Sequence, residues 1–138
     1  MATFNKIQQF VEDLAHKVHN LGTDEIMVAL TTAANAPTAA DETLADLTEI
    51  AYTNLSSRVV TTTSSAQTTG TYKLVLQDLT LTSTGGSTGP FRYIAIYNND
   101  SVSNSLIGYY DYGSDLTLAA GESLTLDFSE VNGVLQLA

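Results

Sequence analysis

The chain has no cysteine, no tryptophan and five cationic side chains in 138 residues. The missing cysteines exclude disulfides, thiolate nucleophiles and thiolate metal sites together, so stability has to come from packing, hydrogen bonds and assembly. Lys6, Lys17, Arg58, Lys73 and Arg92 stand against fifteen carboxylates, for a net charge of −10. So few cations cannot neutralise a run of phosphates, which argues against a nucleic-acid partner. Long apolar runs are missing too. Residues 1–25 mix polar and apolar positions and carry Glu12, Asp13 and Lys17, so they contain neither the core of a signal peptide nor a membrane span. The expectation is a soluble protein made in a cytoplasm, with no membrane partner.

What is present suits one core and a polar skin. An apolar content of 43% supports a single domain over 1–138. Only 14% of residues are charged, about half the usual share, while Ser and Thr make up roughly a quarter. Threonine favours pleated, half-buried surfaces. Hydroxyl groups also cost less to desolvate than ions, so such a surface suits broad contact with neighbouring proteins.

Phe4, Ile7, Val11, Leu14, Val18 and Leu21 recur at spacings of three and four, which predicts an amphipathic helix over 1–22, widened by Phe10, capped by Thr3 and ended by Gly22. The stripe either lies on its own domain or packs on a neighbouring subunit. Residues 23–46 read as a strand, Glu25–Thr31, followed by an extended loop or arm around Pro37 with a helical turn near Glu42–Asp46. From residue 47 the pattern is strands and turns: Leu47–Tyr52, Ser57–Thr63, Tyr72–Thr82, Phe91–Asn98, Leu106–Tyr112, Ser114–Leu118, Ser123–Phe128 and Gly133–Leu137. The fold class expected is mainly β, a β-sandwich or jelly-roll-like domain over 47–138 with one N-terminal amphipathic α-helix.

Four constellations invite a functional reading. Gly85-Gly86-Ser87-Thr88-Gly89 has the letters of a hydrolase nucleophile elbow, but that motif needs a helix after the serine and a histidine downstream. Here Pro90 leads into an extended stretch, and the histidines, His16 and His19, both precede it. No catalytic residue and no enzyme activity are expected. Glu12, His16 and His19 have spacings that a helix would turn into a metal site, although such triples are usually solvated polar residues. Asn98-Asn99-Asp100 and Asp111–Asp115 place oxygens in turns without calcium-loop spacing, and turn chemistry alone explains them. No cofactor or metal is expected. Tyr109, Tyr110 and Tyr112, with Tyr93 and Tyr97, either cover the sandwich or supply an interface, since tyrosine combines apolar area with a hydrogen-bonding tip.

At Phe91-Arg92-Tyr93, Leu106–Gly113, Leu124–Phe128 and Gly133–Leu137, and at Phe4-Asn5-Lys6, Phe10–Asn20 and Met27–Thr31, the chain resembles small virion proteins of tailed bacteriophages. Members of that group are similar to capsid decoration, or cement, proteins; tail and head-fibre components look much the same. The resemblance implies a structural virion protein on the capsid surface, synthesised in the host cytoplasm. Its partner would be the major capsid protein lattice, bridged by a homo-oligomer for which a trimer is favoured and a dimer possible. Weak contacts made several at once would then add up to durable attachment. The interface candidates are Phe4, Ile7, Phe10, Val11, Leu14, Val18, Pro37, Tyr109, Tyr110 and Tyr112. The alternative is a module that binds a host-surface glycan or protein.

Overall fold

In the computed structural model, which describes residues 2–138, the N-terminal apolar stripe is divided among three local structures rather than forming one helix. Strand β1, Phe4–Lys6, comes first; helix α1 spans only Gln9–Ala15; an irregular loop carries the chain from residue 16 to 25. Thr3 therefore caps nothing. Gln8 stands at the helix N-terminus without a side-chain cap, and Lys17 ends the helical run early by taking a left-handed φ of 64°. The three-four spacing arises because each piece buries its own residues. Ile7, Phe10 and Leu21 are buried, Phe4, Leu14 and Val18 are half-buried, and Val11 is 51% exposed.

The remaining strands are β2 Ile26–Thr31, β3 Val59–Val60, β4 Thr62–Thr68, β5 Thr71–Leu76, β6 Leu79–Thr82, β7 Thr88–Asn98, β8 Leu106–Leu118, β9 Ser123–Leu126 and β10 Leu135–Leu137. They form an antiparallel five-stranded sheet in the order β1-β8-β7-β2-β3, a three-stranded sheet β10-β5-β4 and a ribbon β6-β9. The fold is thus mainly β and sandwich-like, with one short helix. Register explains the core. Leu30 pairs with Ile94 and Ile94 with Tyr110, which pairs in turn with Phe4; Val28 pairs with Ile96. Side chains two apart share a face, so Ile26, Val28, Leu30, Ile94 and Ile96 form one apolar surface. That surface meets Leu74, Leu76, Leu81, Leu126 and Leu135 of the opposing strands in a single cluster. Each fully buried aliphatic side chain is worth about 1.5–3 kcal/mol.

Residues 33–46 do not form a free arm. Pro37 is buried, and backbone hydrogen bonds fasten the segment to the domain: Gln8 donates to Ala39 O (2.8 Å), Leu44 to Asn104 O (3.0 Å) and Leu106 to Glu42 O (3.0 Å). The helical turn expected near Glu42–Asp46 is a 3₁₀ turn, Leu44–Asp46. It is held by the Asp46 carboxylate, which accepts from the backbone N–H groups of Glu42 and Thr43.

Leu47–Tyr52 is not a strand. Beyond the two-residue pairing with β3, the outer edge of β2 is satisfied by side chains and single backbone bonds. The Tyr52 phenol accepts from Leu30 N–H at 2.8 Å and donates to Glu49 Oε1 at 2.7 Å. The Arg58 guanidinium donates to Val28 O at 2.7 Å while lying 3.9 Å above the Tyr52 ring. Ile50 N–H completes the edge by donating to Leu30 O at 3.0 Å. Burial pushes the Tyr52 phenol well above its ordinary pKa.

Tyr72–Thr82 is likewise two strands, β5 and β6, broken at Gln77-Asp78, where Asp78 accepts from Phe128 N–H. Leu106–Tyr112 and Ser114–Leu118 are one strand, β8, irregularly paired where residues 112–115 loop out opposite Arg92. Gly113, at a φ of 98°, makes that loop feasible, and Asp111 braces it by accepting both Arg92 Nε (2.8 Å) and Gly113 N–H (2.8 Å).

Candidate functional site

The chemical candidates separate in space. Ser87 is exposed in the turn before β7, and the chain continues from it as strand; its carbonyl accepts from Asn54 Nδ2. His16 and His19 lie beyond the end of α1, not on one helical face. His16 is exposed and 3.6 Å from Glu12, while His19 is buried against Phe10 with ring centroids 5.1 Å apart. Among the described residues no three His, Cys, Asp or Glu side chains gather as metal ligands. Two of the turn carboxylates are engaged by protein donors: Asp100 accepts from Glu25 N–H at 2.8 Å, and Asp111 takes both Arg92 Nε and Nη2, the latter at 3.1 Å.

His19 belongs to a buried polar plug that joins three segments. Asn98, at the end of β7, donates from Nδ2 to His19 Nδ1 (3.1 Å) and to Asp24, while its Oδ1 accepts from Asp100 N–H (2.9 Å) and Ser101 N–H (3.2 Å). Those two backbone donors fix which end of the amide faces the histidine. Two donors cannot share one hydrogen bond, so the His19 proton sits on Nε2, a buried atom without a partner among the described residues. Burial lowers the His19 pKa, against the opposing pull of Asp13 and Asp24.

The interface candidates fall into two groups. Ile7, Phe10 and Pro37 are interior and serve the core, and Leu14 and Val18 are half-covered; Val11 alone of the helix stripe is broadly open. The aromatic candidates do converge. Phe4 and Tyr110 lie 5.5 Å apart and Tyr110 and Phe128 6.2 Å apart, with Tyr112 at the rim, 46% exposed. Tyr109 pairs with Asn5 and Ala95 and is half-buried.

Phe128 stands at the end of a cleft of about 280 Å³ between β8 and β9. Its walls are Ile94, Tyr110, Tyr112, Leu124 and Leu126, with Ala2 at the N-terminal side and Asp127 as the charged lining residue. Burial pushes the Tyr110 phenol up to about 12. The sequence points to the tyrosines here but not to Leu124, Leu126, Asp127 and Phe128. Their alternation marks a strand, and nothing in it says that the strand has an open edge.

Hydroxyl groups organise the β6-β9 ribbon beside this cleft and, in a separate sheet, strand β4. Across the ribbon, Thr80 pairs with Thr125 (2.9 Å) and Thr82 with Ser123 (2.8 Å), all side chain to side chain. On β4, Thr62–Thr68, every position is exposed or half-exposed and none is charged. Three of the five cations are engaged within the chain: Arg58 with Val28 and Glu49, Arg92 with Asp111, and Lys73 with Val131 O. No protein-family model, curated protein or solved structure matches this chain.

Proposed function

We propose that this chain is a structural virion protein, a capsid decoration or cement protein that binds the outer surface of a tailed-phage head and stabilises it through several modest contacts made at once. The reading rests first on the sequence resemblance. The observation that best supports it is the β6-β9 ribbon, whose exposed face pairs hydroxyl groups, lacks charge and lies beside an apolar cleft, with the uncharged, solvent-facing strand β4 in a separate sheet adding a second such surface. Such a surface loses little on desolvation when laid against another protein. Its partner is the major capsid protein lattice, and the chain acts as a homo-oligomer, a trimer in preference to a dimer. Binding only the assembled shell stabilises that state by mass action, and clustering copies turns weak contacts into lasting attachment.

The test is co-sedimentation of the purified protein with mature heads that lack it, beside immature heads and unassembled capsid protein. Selective, saturable binding to mature heads, with a rise in the temperature at which they release DNA, is the expected outcome. Binding to host glycans with no affinity for heads would overturn the proposal.

A further inference from the structure

We infer that the open edge of β9, with the cleft beside it, accepts an added β-strand: an extended apolar segment carrying lysine or arginine at its ends, contributed by the lattice protein. The identity of that partner rests on the function proposed above; the strand site itself does not.

Among the described residues β9 pairs with one strand, β6, leaving the opposite side of Ser123–Leu126 without a ladder. Natural proteins guard such edges with lysine, proline, bulges or a covering segment. Most other edges are guarded: β3 is two residues long, β1 and β10 are three, and the outer side of β6 is met by Ser56, which bonds Thr82 in both directions; β4, bulged only at its start, leaves Ser64–Thr68 open but carries no large apolar side chain there. Among the described residues the β9 edge carries no lysine, proline, bulge or covering segment, and it opens on an apolar floor made by Ile94, Tyr110 and Tyr112. A strand added to β9 lies about 4.8 Å from it, and its alternate side chains point down onto that floor.

Charge selects the occupant. Asp127 is the charged residue of the lining, the chain carries −10, and three of its five cations are already engaged. Pairing β9 with β9 of a second copy would set two such surfaces and two Asp127 carboxylates against each other. A cationic segment meets complementary potential instead.

The probe is a short synthetic peptide of alternating valine and threonine with lysine at both ends, titrated into the full chain labelled for amide NMR. Shifts centred on Ser123–Asp127, Tyr110 and Tyr112 are expected. The same peptide with glutamate ends should bind about tenfold more weakly at low salt, a central proline should abolish binding, and Asp127→Lys should invert the charge preference. Absence of shifts at β9, or shifts confined elsewhere, overturns the proposal. Self-association of the chain lost on Leu124→Lys, with no peptide binding, would assign the edge to a second copy and also overturn it. With heads, Asp127→Lys should reduce attachment about tenfold while leaving the circular dichroism spectrum unchanged. If heads bind the wild-type and Asp127→Lys proteins equally, the strand site fails and the decoration role stands; if heads never bind but the peptide does, the reverse holds.

Discussion

Acidification from about pH 7 to about pH 5 weakens this fold through one residue, His19, by at most about 2 kcal/mol. Asn98 presents an N–H to His19 Nδ1 because its carbonyl oxygen is already held by Asp100 and Ser101. Protonating Nδ1 sets donor against donor and places a charge where burial opposes it, so the folded-state pKa lies below the ordinary 6.5 despite Asp13 and Asp24. The unfolded chain therefore takes up a proton below pH 6.5 that the folded chain refuses. Stability is complete above that pH and is lost as pH falls toward the folded-state value, at up to about 1.4 kcal/mol per pH unit. Asp46 is held below the usual carboxylate range by the backbone N–H groups of Thr43 and Glu42, and Asp111 by Arg92 and Gly113 N–H. Both lose their contribution only as pH falls below 3.8, outside this window. Urea unfolding at both pH values is the assay, with His19→Gln as the non-titrating control and nitrogen NMR shifts to read the tautomer. A wild-type protein whose stability is flat or rises on acidification, an unchanged pH slope in His19→Gln, or a proton found on Nδ1 would each refute the reasoning.

Other perturbations test the scaffold. Tyr52→Phe leaves the Leu30 N–H without its acceptor and should cost about 1–3 kcal/mol in chemical denaturation. A β-carbon at Gly108 would meet the Phe4 ring and would stand 2.8 Å from Asn5 O. Gly108→Ala should therefore displace β1, costing about 1–3 kcal/mol and raising amide exchange at residues 4–6. Phe10→Ala removes a fully buried ring and should cost about 3–5 kcal/mol, whereas Val11→Ser, on the exposed side of the same helix, should stay within about 0.5 kcal/mol. If Val11 contacts the lattice, head attachment falls in that variant at unchanged stability.

The β character, β2, and the strand at 91–98 are legible because alternation and threonine content report local geometry directly. The N-terminal helix misleads for a physical reason. Three-four spacing is also what results when a short strand, a two-turn helix and a loop each bury residues against one sheet, and Phe4 prefers pairing with Tyr110 to continuing a helix. Leu47–Tyr52 has strand composition, yet its work on β2 is done largely by the Tyr52 hydroxyl, which no periodicity encodes. Of the candidate surface, the sequence marks Tyr110 and Tyr112. The cleft itself depends on which strand lacks a neighbour, a property of topology rather than of any segment.

The order β1-β8-β7-β2-β3 also governs when the protein can fold. Strand β2, almost entirely buried, takes most of its ladder from β7, and Phe4 waits for Tyr110. Synthesis proceeds at about 5–20 residues per second, so the apolar Ile26–Leu30 run spends seconds on the ribosome before its main partner exists. Long-range pairing of this kind is slow and leaves sticky segments bare in the interim. Aggregation during expression is then a hazard that slower synthesis at lower temperature, or chaperone supply, should lessen.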